Sequence, residues 1–447
     1  MTVERHYDDE SLIALLENNR LAADIHIPAC SPCAEKVESF RMVADILREA
    51  DTWDSREVTD GVPETIHALR AFAGQMASED ERAVAIVAEL LDGVRESWMR
   101  KLQQHPEWRT AGVVRRLIEK AYDAVMQMPP DAVEMMALAT DIADHIDPDS
   151  YASDTVAHLR AAAWRDSAYA LYYTGRFVDA LAATKRAAKN LDLCLVDEYE
   201  RARLGIVEAL ILRAFEKFED ASRVAATSTH SLLAFGDLSR VASSRIAEAQ
   251  MLFSRGDYAT AEPRLLDLER QMAKSQDVDT HARVLANLAF CSGKLGKVEA
   301  ALQFYATASA FLNETGATTD VLRIKWTIAV MLAETGRPED ACLRIRELTP
   351  EMERLGMTSE AAIAGLDVAE CLLAQGRYAE IEEICGAAMR SFERAGLAYS
   401  TRALTALAFI REAAALRRAD QALVRTVRDY IRRLPSQPNL LFALPPE

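Results

Sequence analysis

The chain has 447 residues, half of them hydrophobic, and a formal net charge of −17. This length suits two or three ordinary domains, or one repeat domain with an appendage. The acidic balance disfavours direct binding to nucleic acid, and no apolar run approaches the ~18 residues of a membrane-spanning helix. Windows rich in Ala and poor in Val and Ile predict an all-α protein. Seven scattered cysteines and an acidic start without an apolar core predict a cytoplasmic location.

The first predicted elements surround a histidine and two cysteines. A short amphipathic helix is expected over residues 9–18 and a second helix over about 34–50. Between them lies the motif His26-x-x-x-Cys30-x-x-Cys33. Positions four apart lie one above the other on a helical turn, so these side chains can converge on one metal ion. Structural zinc sites are closed by four ligands drawn from imidazole and thiolate groups.

The fourth ligand must come from outside the motif. His6 is the only other His or Cys before His67, and folding back of the first helix can bring it to the motif. His67 is the weaker candidate. The alternative without metal is that one histidine and two cysteines lie near a turn by chance.

Over about residues 4–50 of this sequence, the arrangement resembles the zinc-binding anti-sigma domain. The resemblance implies one structural Zn²⁺ and a sigma factor as a partner. It implies as zinc ligands His6, His26, Cys30 and Cys33. Redox-sensing members of that family carry a further cysteine on the first helix, and this sequence has none there, so we do not expect a thiol switch.

Residues 51–110 are predicted to form a helical spacer whose role the sequence leaves open. A first helix should end near residue 76. The capping box Ser78-Glu-Asp-Glu81 predicts that a second helix begins there and extends to about residue 103. The pair His105-Pro106 should end that helix, because a residue before proline avoids the helical conformation.

Six later segments share one pattern, in which a turn residue, usually Gly, is followed by an aromatic or apolar residue and then, in most cases, by a small one. They begin at Gly175, Glu216, Gly256, Gly296, Gly336 and Gly376. Their spacings are 41, 40, 40, 40 and 40 residues, and a fixed period of this size is typical of stacked helical hairpins. Each hairpin then covers the apolar face of its neighbour. Because Glu216 replaces glycine, we expect a less sharp turn there.

The first unit resembles the tetratricopeptide repeat (TPR) family at Gly175, Phe177 and Ala180, with Trp164 upstream and Ala187 downstream. The resemblance implies a right-handed TPR-like α-solenoid, here with repeats of about 40 residues instead of the ~34 usual for the family. Another kind of helical hairpin repeat is the alternative. The predicted domains are a zinc-binding helical module at 1–50, the spacer at 51–110, the solenoid with its C-terminal cap at 111–434 and a tail at 435–447.

The two ends of the solenoid have their own features. Helices over 113–127 and 131–146 are predicted to form a degenerate first hairpin. The last two helices, over about 399–417 and 419–434, carry a local net charge of +5. A solenoid needs a polar end cap, which explains that charge, and a docking patch for an acidic partner is the alternative.

Motifs of catalysis are absent from the sequence. It contains no GxSxG, HExxH or GxGxxG. The stretch from Gly293 to Lys297 lacks the spacer and the Ser/Thr of a phosphate loop. The other five cysteines are expected to be small core residues, and His158, like the other histidines of the repeats, has no partner at ligand spacing. We therefore expect no enzymatic activity.

Binding is expected on the concave surface, which is lined by the first helix of each hairpin. Polar or aromatic residues on these otherwise Ala- and Leu-rich helices are the candidates. They are Arg165, Tyr169, Tyr172, Arg245, Asn287 and Lys325. Asn287 is the sharpest of them, since Asn is a poor helix former. An ordinary solvated face is the alternative.

The sequence favours a cytoplasmic regulatory adaptor in which a zinc module of anti-sigma type is coupled to a solenoid that binds a protein or peptide, in transcription regulation. The alternatives are a TPR interaction scaffold, or a peptide sensor akin to repeat-containing quorum receptors, in which the zinc is purely structural. No membrane and no nucleic acid is expected as a direct partner.

Overall fold

The computed structural model describes residues 26–27, 30–48, 64–275 and 277–443. The chain divides into two compact units, Met1–Gln75 and Met76–Glu447. The described residues form α-helices and short 3₁₀ turns and contain no strand, which confirms the all-α prediction. None of the described helices is both long enough and apolar enough to cross a membrane.

From residue 64 onward the described helices alternate with short connections, and one further described helix precedes them. They are α1 Ser31–Arg48, α2 Glu64–Leu90, α3 Trp98–Gln104, α4 Ala111–Ala124, α5 Pro129–Asp144, α6 Ser153–Tyr173, α7 Phe177–Leu191, α8 Glu198–Ala214, α9 Phe218–Ala234, α10 Leu238–Ser254, α11 Tyr258–Met272, α12 Val278–Lys294, α13 Val298–Thr315, α14 Thr318–Glu334, α15 Pro338–Arg354, α16 Thr358–Leu373, α17 Tyr378–Ala395, α18 Ser400–Ala415 and α19 Gln421–Arg433.

In the first unit, α1 begins inside the cysteine motif, at Ser31, and includes Cys33. The Ala34 N–H donates to the Cys30 carbonyl at 2.9 Å, so the helix begins three residues before the predicted start. Ile27, Cys30, Cys33 and Val37 form a small buried cluster. The helix predicted over residues 9–18 and the polar connector before α2 lie outside the described residues.

The predicted boundary between two helices at residues 76–78 is wrong. A single helix, α2, continues through the capping box, and Ser78 lies in its interior, where its carbonyl accepts from the Arg82 side chain at 3.2 Å. No proline interrupts this stretch, so nothing forces a cap to form. The chain breaks instead at Gly93, whose φ of +80° only glycine adopts readily. The predicted end at His105-Pro106 is confirmed, because α3 stops at Gln104.

From α4 onward the helices pair into eight hairpins, numbered 1 (α4/α5) to 8 (α18/α19). Each helix packs on the next one in the chain, and the first helices of hairpins 1 to 7 also touch one another in succession. The first helices therefore form one continuous inner layer. Hairpin 1, at the predicted place, and the 40-residue repeats confirm a TPR-like helical solenoid.

In hairpins 2 to 7 the turn between the two helices contains a residue with positive φ. Gly256, Gly296 and Gly376 have φ of +74°, +76° and +68°, as predicted for residues that end a helix. Glu216 adopts the same conformation, with φ +59°, and the following Lys217 N–H donates to Leu212 at 3.0 Å. The expectation of a less sharp turn at Glu216 is therefore wrong, because packing of the two helices enforces the left-handed conformation on a glutamate.

The second unit curves until its beginning meets its later hairpins. The backbone N–H and the hydroxyl of Thr319, at the start of hairpin 6, both donate to the Met126 carbonyl at 3.0 Å, across 193 residues of sequence. Gly356, between hairpins 6 and 7, lies against Pro130 of the turn in hairpin 1. The inner layer consequently encloses a central space instead of an open groove.

A pair of glycine variants tests this closure. A Cβ at Gly356 would lie 2.8 Å from Pro130 Cγ, whereas one at Gly376 would have no described atom within 4 Å, and both glycines have positive φ. We expect Gly376→Ala to cost about 1 kcal/mol of unfolding free energy from backbone strain. Gly356→Ala should cost ~1 kcal/mol or more beyond that, from overpacking. Urea unfolding of both variants measures the difference, and equal losses would mean that the turn of hairpin 1 retracts freely.

Candidate metal site and central cavity

The predicted metal motif is assembled in the first unit. One ligand atom each from His26, Cys30 and Cys33 lies within 4.8 Å of the other two. Both cysteines are buried, because the chain turns from residue 27 into α1 and directs them inward. One imidazole and two thiols are a donor set suited to zinc and supply three of the four ligands of a closed site. His6 and the side chain of His67 lie outside what the structure describes, so the fourth ligand stays a prediction.

Zinc content is the direct test of this site. We expect about one zinc per chain, measured by elemental analysis of native protein. The double variant Cys30→Ser, Cys33→Ser should lose the zinc while the solenoid keeps its circular dichroism signal, because each repeat contacts mainly its neighbours. The control is Cys371→Ser, which changes a half-buried cysteine of α16 and should leave the metal bound. Native protein without zinc but with intact thiols would contradict the assignment.

A second group of potential ligands, at Asp154, His158 and Cys194, also has its ligand atoms within 4.8 Å of one another. The statement that His158 lacks a partner at ligand spacing is therefore wrong: Asp154 lies one helical turn before it, and the hairpin brings in Cys194. Asp154 already accepts the Leu195 N–H at 2.7 Å, and burial raises the pKa of the Cys194 thiol to about 11. These three residues are therefore less suited to bind a metal ion than His26, Cys30 and Cys33.

The second unit contains a cavity of about 810 Å³. Its wall comes from the first helices of hairpins 2 to 7, with Tyr122 of α4 and residues of α19 at its edges. Four of the six predicted groove residues line it. They are Arg165, Tyr169, Tyr172 and Asn287. Participation of these side chains in binding stays a prediction.

The other two predicted groove residues face elsewhere. On α10 the cavity is lined by Ser243, Ile246 and Gln250, a stripe three and four residues apart, and Arg245 falls on another face of that helix. The Arg245 guanidinium donates to Gln271 of α11 at 3.0 Å. Lys325 lies in a separate shallow depression between α14 and α15. Whether a residue of α10 reaches the cavity therefore depends on its position along this stripe and not on whether its side chain is polar.

Tyrosines form one side of the cavity. Tyr122 stacks on Tyr169 with ring centroids 6.2 Å apart, and Tyr169 meets Tyr173 edge-on at 4.9 Å. The Arg323 guanidinium lies 5.3 Å from the Tyr173 ring centroid, a cation–π contact between hairpins 2 and 6. Burial raises the pKa of Tyr169 to about 12, so its hydroxyl remains neutral and can donate a hydrogen bond.

Two amide side chains lie next to each other in the part of the wall formed by α10 and α12. The Asn287 amide donates to the Arg283 carbonyl at 2.8 Å, and its oxygen accepts from Gln250 Nε2 at 3.2 Å. Gln250 Oε1 is buried and has no hydrogen-bond partner among the described residues. A buried acceptor in that state costs free energy, and a ligand N–H would satisfy it.

The charged lining was largely missed by sequence reasoning. Eight arginines and four carboxylates line the cavity, and of the arginines only Arg165 was predicted. The signal existed in the 40-residue period, since Arg203, Arg283 and Arg323 occupy equivalent positions in hairpins 3, 5 and 6. Aligning the first helices by the period, before choosing polar residues, would have found them.

No protein-family model matches the chain, and no curated protein matches it. Among solved structures, the chain is similar to a Rap protein complexed with Competence and Sporulation Factor, with 13% identity over 77% of this chain and 100% of that one and a TM-score of 0.49. It is also similar to the aspartyl phosphate phosphatase F of Bacillus subtilis (13%, 81% and 88%, TM-score 0.45). A third similarity is to a STAND protein with a tetratricopeptide repeat sensor from Pyrococcus horikoshii (15%, 80% and 55%, TM-score 0.48). The fold described above rests on the chain's own hairpins and turns.

Proposed function

We propose that this protein is a regulatory adaptor whose solenoid binds a peptide or a segment of a partner protein in the central cavity. The observation that carries the proposal is the cavity itself. Its volume of about 810 Å³ lies in the ~300–1,000 Å³ range of ligand pockets. Its walls combine aromatic rings with a few polar groups, the composition that fixes a ligand's orientation.

An extended segment fits the distribution of these groups. The unpartnered Gln250 Oε1 accepts a backbone N–H of the ligand, and Asn287 beside it supplies a second amide. The rings of Tyr169 and Tyr173 pack on an apolar side chain. Because the inner layer is continuous over successive hairpins, the ligand can extend along several of them.

The first unit supplies the second half of the proposal. His26, Cys30 and Cys33 hold one structural Zn²⁺, completed by His6, and the module binds a transcription component, with a sigma factor as the partner by resemblance. Ligand binding to the solenoid then regulates that interaction in the cytoplasm, without catalysis. The second candidate is a TPR scaffold or peptide sensor in which zinc only stabilises the N-terminal helices, and the ready-made cavity is the observation that favours it.

Affinity capture from cells of the source organism, with the full-length chain as bait, separates the two candidates. The adaptor predicts that sigma or RNA polymerase peptides are recovered with the native chain and lost with the Cys30→Ser, Cys33→Ser variant. The scaffold predicts partners that the double variant keeps. Both candidates would be contradicted if no captured partner depended on the cysteine motif and none depended on the cavity.

Asn287→Ala tests the cavity itself. We expect weaker binding of the captured partner, because the ligand loses one amide contact and Gln250 loses its own. Thermal stability should fall by no more than a degree or two, as for a surface change. Asn190→Ala is the matched control, since Asn190 on α7 makes the same bond to the carbonyl four residues earlier, at 2.9 Å, but outside the cavity. Unchanged affinity with a large loss of stability would mean that Asn287 is a buried structural residue.

A further inference from the structure

The charge of the cavity is opposite to that of the chain. The protein has a net charge of −17, yet the cavity lining has eight arginines, no lysine and four carboxylates. Three more carboxylates, Glu200, Asp237 and Asp429, lie outside the lining and pair with its arginines. Even with these included, positive charge exceeds negative charge. A concave site with walls of low dielectric concentrates such a field.

Part of this positive charge serves the fold. Arg165 pairs with Asp166 and Glu200, and Arg240 pairs with Asp237 at 2.6 Å. Both guanidiniums are therefore neutralised within the wall.

Arg323 has the same kind of environment. Its guanidinium pairs with Asp320 and Glu360, both at 2.9 Å. It is thus held in place by two carboxylates of the first helices of hairpins 6 and 7.

Among the described residues three arginines of the lining have no such partner: Arg433, which is exposed at the end of α19, and Arg283 and Arg213 on first helices. The Arg283 guanidinium donates to the Thr280 hydroxyl at 3.1 Å, and that of Arg213 donates to the Tyr172 hydroxyl at 2.6 Å. Within the described part of the chain neither forms an ion pair, and Arg213 Nε is buried without a hydrogen-bond partner. A guanidinium carries five donors, so each keeps free donors directed at the cavity surface that both residues line.

We propose that the cavity selects an acidic peptide segment, with ligand carboxylates bound by Arg283 and by Arg213 in the cavity wall. The inference rests on the proposed function and names the chemistry of its ligand. A planar guanidinium binds a carboxylate through two parallel hydrogen bonds. In the cavity wall Arg323 pairs with two carboxylates, whereas Arg283 and Arg213 pair with none that the structure describes. The ligand carboxylates supply the missing acceptors.

The surrounding groups favour a peptide over a small anion. The free acceptor of Gln250 can accept a backbone N–H of a peptide, and a simple inorganic anion has no apolar group to pack on the neighbouring rings. Tyr172 and Phe177, with ring centroids 5.4 Å apart, flank Arg213 and suit an apolar side chain next to the acidic one. The rest of the chain is negatively charged and opposes long-range attraction of an acidic peptide. Selectivity must therefore arise inside the cavity, and it should weaken as the salt concentration increases.

Matched peptide pools test the inference on the full-length protein. One pool contains random octapeptides with Asp or Glu at a fixed position, and the other has Asn or Gln there, which keeps shape and removes charge. Each pool is made with a free and with an amidated C-terminus, which separates side-chain carboxylates from the terminal one. Retained peptides are identified by mass spectrometry at low and at high salt.

We expect the acidic pool to be retained about tenfold more than the amide pool, the scale of one charged hydrogen-bonded contact. Arg283→Gln and Arg213→Gln should each remove part of that preference and the double variant most of it, and Arg283→Lys should keep more of it than Arg283→Gln. Arg377→Gln is the control, because Arg377 pairs with Glu380 at the exposed turn before α17 and does not line the cavity. Thermal melting of each variant verifies folding.

The outcomes separate the inference from the proposed function. Equal retention of the two pools by the native chain would overturn acidic selectivity and leave peptide binding standing. Retention of neither pool would refute peptide binding and the inference with it. Displacement of retained peptides by inorganic phosphate alone, dependent on Arg283, would assign the two arginines to a phosphate ligand and overturn the inference.

Discussion

Gly112→Ala should lower the unfolding free energy of the second unit by about 3 kcal/mol or more, the upper part of the range for overpacking. A Cβ at Gly112 would lie 2.6 Å from both the carbonyl carbon and the carbonyl oxygen of Glu79. These atoms belong to the backbone of α2, so no side chain can rotate away, and α2 and α4 must move apart. Denaturant unfolding, followed by circular dichroism, measures the loss.

The contacts around Gly112 raise the cost of that movement. The Gly112 N–H donates to Glu79 Oε2 at 3.3 Å, and the Tyr151 hydroxyl donates to the same oxygen at 2.9 Å. Tyr151 also accepts from the Ala111 N–H at 3.1 Å. Burial raises the pKa of Tyr151 to about 12, so the phenol stays protonated as a donor. Moving α2 away from α4 strains this buried network, whose groups are costly to leave unpaired.

Gly386→Ala is the control for Gly112→Ala. Gly386 also lies inside a helix, but a Cβ there would meet only the flexible end of Arg390, at 3.5 Å. Because alanine has the higher helix propensity, this variant should be as stable as the native chain or more stable by up to ~1 kcal/mol. If Gly112→Ala behaved like Gly386→Ala, the close packing of α2 on α4 would be wrong.

The repeat fold was predictable because the period is carried by local requirements. A residue with positive φ must end the first helix, and a small one must follow where the second helix packs closely. Gly296 and Ala301 meet these requirements, with φ +76° and complete burial. Such features are independent of distant parts of the chain and therefore appear in the sequence at regular intervals.

Elements that depend on competition between local signals were not predictable in the same way. The capping box at Ser78 is a valid start signal, but the helix before it has no reason to stop. At Glu216 the reverse occurs, since packing imposes a conformation that the residue itself disfavours. Gly236 and Gly316 end second helices half a period later, and the positions two and five residues after them lack the aromatic and the small residue that mark the other turn in most repeats.

The cavity was predictable only as a surface, not as an enclosed site. The cavity closes because each hairpin is rotated slightly relative to the one before it. Over the five steps from hairpin 1 to hairpin 6 these rotations add up until Thr319 contacts Met126. A local pattern does not encode that sum. The approach of Tyr122 to Tyr169 and the position of Arg283 are consequences of the same curvature.

Arg165→Met should destabilise the protein by about 3–5 kcal/mol, the cost of removing one partner from a buried ion pair. Arg165 is only 4% exposed and pairs with Asp166 and Glu200. Burial acts to lower the pKa of the Arg165 guanidinium, but the two carboxylates outweigh it and raise that pKa. Without the guanidinium, carboxylates with side-chain exposures of only 17% and 21% remain close together, and their repulsion adds to the cost.

Two further variants separate this structural role from the ligand contact that the sequence suggested for Arg165. Arg223→Met removes an exposed pair with Asp220 and should cost less than ~1 kcal/mol. Adding Asp166→Asn to Arg165→Met should recover part of the loss, because Asp166 has no other ion-pair partner among the described residues, whereas Glu200 still pairs with Arg203. If Arg165→Met instead melted like the native chain and lost only partner binding, the ion pairs would be dispensable and Arg165 would act as a ligand-binding residue of the cavity.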